Sequence, residues 1–319
     1  MKTEVIQLVE GREEITLTTY IRDNVNAMEL PNFKRPAVIV CPGGGYFDLS
    51  DAEGEPVALS FMNMGYHAFV LRYSVFGGNG FEADANTIQV KPETVHPNPM
   101  LDIGRAILCI REHAEEWGVD PEHIAICGFS AGSHNCAMYS TYWSQPIVQD
   151  YFKVEKDMLR PAACILCYTL SDYTYMYEVS LKENEFQRNF FNASSKIFIG
   201  ENVTAEALDE VSPAKHINAD NPPTFLWATS EDNLVPVQHT LRMAHALADA
   251  NIPFEVHVFE EGPHGLSTAG QSSASSQSMC YPDAEKWLPL CGEWLKKRFA
   301  LKLPKRAMWE IMMEKDLKG

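Results

Sequence analysis

The spacing of apolar positions changes near residue 36. Before it, "TEVIQLV" and "EITLTTYI" alternate apolar with polar residues, joined by a short charged link, which predicts an antiparallel pair at a sheet edge. After it, apolar runs and amphipathic stretches take turns. "PAVIVCP", "HAFVLRYSV", "HIAICGFS", "AACILCYTL", "PTFLWAT" and "FEVHVFE" read as strands, several of them apolar throughout, as in a sheet covered on both faces. Between them, "GEPVALSFMNMG" predicts a helix closed by Gly65. "NPMLDIGRAILCIREHAEEWG" predicts another, with Pro99 in its first turn and an Ile103, Ile107, Ile110 stripe. Further helices are predicted over "AGSHNCAMYSTYW", over "VQHTLRMAHALADAN" and from Asp283 to Phe299.

Strand–helix alternation at this spacing predicts a mostly parallel twisted sheet with right-handed crossovers and helices on both faces. No repeat and no linker stands out, so residues 1–319 read as one domain. Three segments fall outside the alternation. Residues 74–97 form a Gly-, Asn- and Pro-containing loop. Residues 171–222 are rich in Tyr and Phe and read as a cap or lid. Residues 303–319 form an amphipathic tail suited to packing on the body or on a partner.

The chain is long enough to bury a full core, and its net charge is −17. That sign repels phosphate backbones, so a nucleic-acid partner is not expected. No run of about 18 apolar residues suggests a membrane span. The start of the chain shows no apolar leader, and the cysteines are scattered through apolar segments. Both features suggest reduced thiols and a cytoplasmic setting. Cys164 and Cys167 have the CxxC spacing but no second ligand pair, so no metal site is expected. A homo-oligomer is left open.

The candidate chemistry begins at "ICGFSAG", which sets Ser130 in G-x-S-x-G between a strand and a helix. Such a turn projects the hydroxyl above the sheet, and the small residues let strand and helix approach closely. A serine hydroxyl needs a general base. His264, in "FEEGPHG", follows a strand on a loop, whereas His113, His239 and His245 are expected in helices, His67 and His257 in strands, and His96, His123 and His216 in polar loops. His134 follows the nucleophile on its helix and reads as packing. The base needs an orienting acid: Asp232 in "ATSEDNLVP" gives the chain order Ser, acid, His. Glu231 and Asp172 are the competing acids. Acyl transfer also needs oxyanion donors. The N–H of Ala131 is one, and Gly44 and Gly45 in "CPGGGY" are the candidates for the other.

With "CPGGGY", "GFSAGSH", "DNLVP" and "GPHG" in this order, the chain resembles the α/β-hydrolase superfamily over about residues 14–300. Within it, the chain resembles the bacterial acetyl-xylan esterase and acetyl esterase branch. The resemblance implies a serine esterase acting on short, acetyl-type esters of sugars or oligosaccharides, with no cofactor. Pro42 stands where hormone-sensitive-lipase-like esterases carry His. The aromatic excursion admits a second reading, a feruloyl or other aromatic-acyl esterase. A catalytically silent hydrolase fold serving as a binding module is the non-enzyme alternative.

Overall fold

The computed structural model describes all residues except 24–32, 183, 302, 304, 307 and 317–319, so part of the predicted tail lies outside the described residues. One eight-stranded sheet has the order β1-β2-β4-β3-β5-β6-β7-β8. Its strands are β1 (Val5–Gln7), β2 (Thr16–Tyr20), β3 (Arg35–Cys41), β4 (His67–Arg72), β5 (Val119–Phe129), β6 (Ala163–Cys167), β7 (Thr224–Thr229) and β8 (Phe254–Phe259). β1 and β2 pair antiparallel, as the alternation predicts, and β2 joins β4 antiparallel. From β4 to β8 every pairing is parallel.

The helices are α1 (Glu55–Asn63), α2 (Asn98–Glu112), α3 (Ala114–Trp117), α4 (Ala131–Tyr142), α5 (Pro146–Phe152), α6 (Tyr173–Ser180), α7 (Glu185–Ile199), α8 (Ala205–Glu210), α9 (Gln238–Asp249), α10 (Trp287–Phe299) and α11 (Met308–Asp316). Two apolar clusters sit on opposite faces of the sheet. Ile39, Ile126 and Leu166 point to one, with α2, α4 and α9; Val40, Cys127 and Ile165 point to the other, with α1 and α10. Adjacent residues of one strand thus bury on both faces, which is why β3, β5 and β6 read as unbroken apolar runs.

Four details depart from the pattern reading. The long helix predicted at 98–118 breaks at His113. That ring bonds the Cys109 carbonyl (Nδ1···O 2.9 Å) and stacks on Trp117, a side-chain bond that competes with the helical ladder. α5, only seven residues after Pro146, is too short for its periodicity to show. His123 lies within β5, not in a loop. α10 starts at Trp287, after a single 3-10 turn at Ala284–Lys286.

The aromatic excursion folds into α6, α7 and α8. α7 ties it to the body: Ser194 Oγ donates to the Gly45 carbonyl (2.8 Å), and Gln187 Nε2 donates to that of Asn233 (3.1 Å). On α11, Trp309, Met312 and Met313 are exposed. Among the described residues no helix is long and apolar enough to cross a membrane.

Candidate active site

Ser130 sits at the junction of β5 and α4 with φ 51° and ψ −118°, a strained conformation for a residue with a side chain. The junction closes because strand and helix touch: a Cβ on Gly128, in β5, would lie 2.2 Å from the Gly132 carbonyl oxygen. A Cβ on Gly132 would meet the end of β3, 2.1 Å from the Cys41 carbonyl oxygen and 2.4 Å from that of Pro42. Only glycine fits there, as the G-x-S-x-G reading requires. The helix N-terminus that begins at Ala131 adds partial positive charge beside the serine.

His264 arrives on the loop after β8, and Asp232 on the loop after β7. His264 Nε2 is 2.7 Å from Ser130 Oγ, and Nδ1 is 2.7 Å from Asp232 Oδ2. Asp232 Oδ1 is held separately by the N–H groups of Leu234 (3.0 Å) and Val235 (2.9 Å). The carboxylate therefore accepts from Nδ1–H. That leaves the Nε2 lone pair to accept from the serine hydroxyl. Burial alone would depress the imidazole pKa. The Asp232 carboxylate, by charge and hydrogen bond, and the Glu53 carboxylate, by charge, more than offset this and raise it.

The competing acids are engaged elsewhere. Glu231 accepts from the Gly262 N–H (3.1 Å), bracing the histidine loop. Asp172 caps α6 through the Tyr175 N–H (2.9 Å) and pairs with Arg242 (3.2 Å). Asp232 alone among the three meets the imidazole. Burial depresses His239 and His134 to a pKa of about 3, so both stay neutral.

The glycine loop after β3 is wired by its own peptide groups. The Gly43 carbonyl accepts from Ser50 N–H (2.9 Å), and the Gly44 carbonyl from Phe47 N–H (3.0 Å). In a trans peptide the next N–H points the opposite way, so both bonds aim an N–H away from the loop interior. Those N–H groups belong to Gly44 and Gly45. Both residues line the cavity that also holds Ser130, Ala131 and His264. Gly44 carries φ 135°, and a Cβ there would lie 2.0 Å from the Asp48 carbonyl oxygen. The Gly43 N–H is already taken, donating to Glu53 Oε2 at 2.7 Å.

Two residues beside the site have roles that the motifs do not assign. Glu53 follows the glycine loop by ten positions and is buried, with Oε1 accepting from the Tyr168 hydroxyl (2.7 Å). An acid in "DAEG", close after a glycine loop, was the available clue. His134 is more than packing. The Tyr46 hydroxyl donates to its Nδ1 (2.6 Å), while Nε2–H donates to the Val211 carbonyl (2.8 Å). It thereby links the glycine loop to the end of the cap segment.

The cavity measures about 610 Å³. Its walls are mainly apolar, with Tyr173, Met176, Phe186, Phe190 and Phe191 from α6 and α7 and Val235 from the loop after β7.

The BD-FAE family model matches residues 29–247. The chain belongs to the BD-FAE family, and its fold is that of the α/β-hydrolases. It is 34% identical over 249 residues to the endo-1,4-beta-xylanase B of Butyrivibrio fibrisolvens, a match covering 77% of this chain and 34% of that one. Among solved structures, the acetyl ester-xyloside bifunctional hydrolase of Caldicellulosiruptor lactoaceticus superposes with a TM-score of 0.70 at 28% identity. That superposition covers 92% of this chain and 96% of that one. A carboxylesterase from Lactobacillus plantarum superposes with a TM-score of 0.76 at 25% identity, covering 95% and 100%. The chain spans between 34% and 47% of the length of the curated relatives it matches.

Proposed function

We propose that this BD-FAE member is a serine carboxylic ester hydrolase that removes short acyl groups, acetyl above all, from sugars or oligosaccharides. The observation that carries the reading is the hydrogen-bonded line from Ser130 through His264 to Asp232, beside glycine N–H groups that have no partner within the loop. The relatives point the same way. Structures named as a carboxylesterase and as an acetyl ester-xyloside hydrolase match nearly their whole length, whereas the xylanase is matched over only 34% of its chain.

In this mechanism Ser130 Oγ attacks the ester carbonyl carbon and His264 Nε2 takes its proton. The carbonyl oxygen becomes an oxyanion that the N–H groups of Ala131 and of Gly44 or Gly45 stabilise. Collapse breaks the C–O bond to the alcohol, which leaves with the proton from His264. Water, deprotonated by the same histidine, then hydrolyses the acyl-serine. Asp232 holds the ring and its charge throughout.

One observation favours a second reading. The aromatic cap residues at the cavity wall suit a planar phenolic acyl group such as a ferulate. Turnover of p-nitrophenyl esters from acetyl to octanoyl, then of acetylated xylo-oligosaccharide against methyl ferulate, separates the two. Acetyl preference supports the first reading, and ferulate preference replaces it with the second. No turnover, together with no labelling of Ser130 by a fluorophosphonate, would leave a silent binding module.

A further inference from the structure

Glu53 is a carboxylate in an unusual place. It is 4% exposed, yet no Lys or Arg of the described residues is among its partners. Its oxygens receive two donors, the Gly43 N–H and the Tyr168 O–H, each at 2.7 Å. The Tyr168 oxygen in turn accepts from the Ser267 N–H (2.9 Å), so its own proton is directed at Glu53. Ser267 is tied on by its hydroxyl to the Ala52 carbonyl (2.6 Å) and by its carbonyl to Trp287 Nε1 (3.0 Å). Burial raises the Glu53 pKa above the ordinary carboxylate value, while the Tyr168 and Gly43 hydrogen bonds and the His264 charge pull it back; two donors and no acceptor fit the ionised form.

This network touches the reacting groups from behind. Glu53 Oε2 and Ser130 Cβ both lie 2.8 Å from the point a side chain on Gly43 would occupy. The Tyr168 ring meets that of His264 edge-on at 5.0 Å. Ser130, Tyr168 and Ser267 all hold positive φ (51°, 39° and 54°), costly for residues with side chains unless the surroundings impose it. The titratable groups facing Glu53 are Tyr168 after β6, Tyr73 after β4, Cys127 in β5, Cys167 in β6 and His264. Burial keeps those phenols and thiols neutral, so His264 is the group whose positive charge Glu53 meets.

We propose that Glu53 is a positioning residue for the hydrolysis. Its buried carboxylate holds the glycine loop against Ser130 through the Gly43 N–H, and it shares with Asp232 the stabilisation of the His264 imidazolium. The inference rests on the serine-hydrolase reading above. It separates two duties: reach, which places the loop, and charge, which sets the histidine.

The test is the pH profile of kcat/KM for p-nitrophenyl acetate with Glu53→Gln, Glu53→Asp and Tyr168→Phe. Glu53→Gln keeps size and loses charge. Its acid limb is expected to move down by about 0.5–1 pH unit. Its kcat is expected to fall about tenfold with KM nearly unchanged, less than the roughly 10²–10³ lost on deleting an oxyanion donor. Glu53→Asp keeps the charge and shortens the reach, so kcat falls while the acid limb stays. An unmoved acid limb in a folded Glu53→Gln protein overturns the proposal. If neither Glu53 variant folds, Tyr168→Phe decides. Loss of the Tyr168 hydrogen bond raises the Glu53 pKa and weakens its charge, so a lowered acid limb supports the proposal and an unmoved one overturns it. Fluorophosphonate labelling keeps the two levels apart. A wild-type protein unlabelled at Ser130 defeats the hydrolase reading and this one with it. A labelled wild type with an unmoved limb defeats this one alone.

Discussion

Ser130 Oγ and His264 Nε2 lie 2.7 Å apart, although 134 positions separate the residues along the chain. That bond has a direction. Asp232 takes the Nδ1 proton, so Nε2 faces the serine as an acceptor. A hydroxyl poised against a fixed lone pair is the arrangement nucleophilic acyl transfer needs.

Under the proposed mechanism, Ser130→Ala removes the attacking atom and leaves the backbone intact. Ester turnover is expected to fall by about 10⁶, with the thermal melt unchanged, because the groups act as a unit. Steady-state assays with p-nitrophenyl acetate and fluorophosphonate labelling check it. Turnover within tenfold of wild type would refute the assignment.

The pH dependence follows from His264. In the proposed mechanism a protonated imidazole cannot take the serine proton, so kcat/KM is expected to fall as pH drops through its pKa. Burial works against the charged ring but is outweighed by Asp232 and Glu53, so the midpoint lies above the ordinary 6.5. Asp232→Asn removes the carboxylate with the larger effect on the ring. It should move the midpoint down and cost about 10⁴ in kcat, since the ring then loses its fixed tautomer. A profile flat from pH 5 to 8 in the wild type would contradict this account.

Gly132→Ala is a folding lesion before it is a catalytic one. The new methyl would meet two backbone carbonyls at 2.1 and 2.4 Å, and backbone cannot step aside as a side-chain tip can. A loss of about 3 kcal/mol is expected, read as a lower denaturation midpoint in urea. Stability equal to wild type would show that α4 and the end of β3 can move apart.

Phe190→Ala tests the cap. The Phe190 ring lies over Gly45, where a Cβ would meet its Cζ at 3.0 Å, and it lines the cavity. Truncating it enlarges the cavity that Ser130 also lines, where the proposed mechanism puts the acyl group. The preferred p-nitrophenyl ester is expected to lengthen from acetyl toward butyryl or longer, with kcat/KM for acetate reduced. An unchanged chain-length profile would place the acyl group elsewhere in the cavity.

Some of this was legible in the chain and some was not, for definable reasons. β3 and β5 announced themselves because burial on both sheet faces leaves no polar position. The β1–β2 pair did so by alternation. The break at His113 did not, because it turns on one side chain bonding back to a carbonyl, which periodicity cannot see. Ser130 and His264 were legible as turn chemistry after strands. Asp232 stood beside two rivals, and only the positions of Gly262 and Arg242 show where Glu231 and Asp172 are engaged.

The sequence alone determined the alternation that makes the sheet, the glycines that let β5 and α4 touch, and the order of serine, acid and histidine. These are local properties: side-chain period, backbone freedom and chain order. The tertiary structure decided which acid meets the imidazole, which glycine N–H groups keep no partner within the loop, and that Glu53 stands behind them. Each of those depends on distances between segments far apart in the chain, and such distances exist only once the sheet has brought its strand ends together.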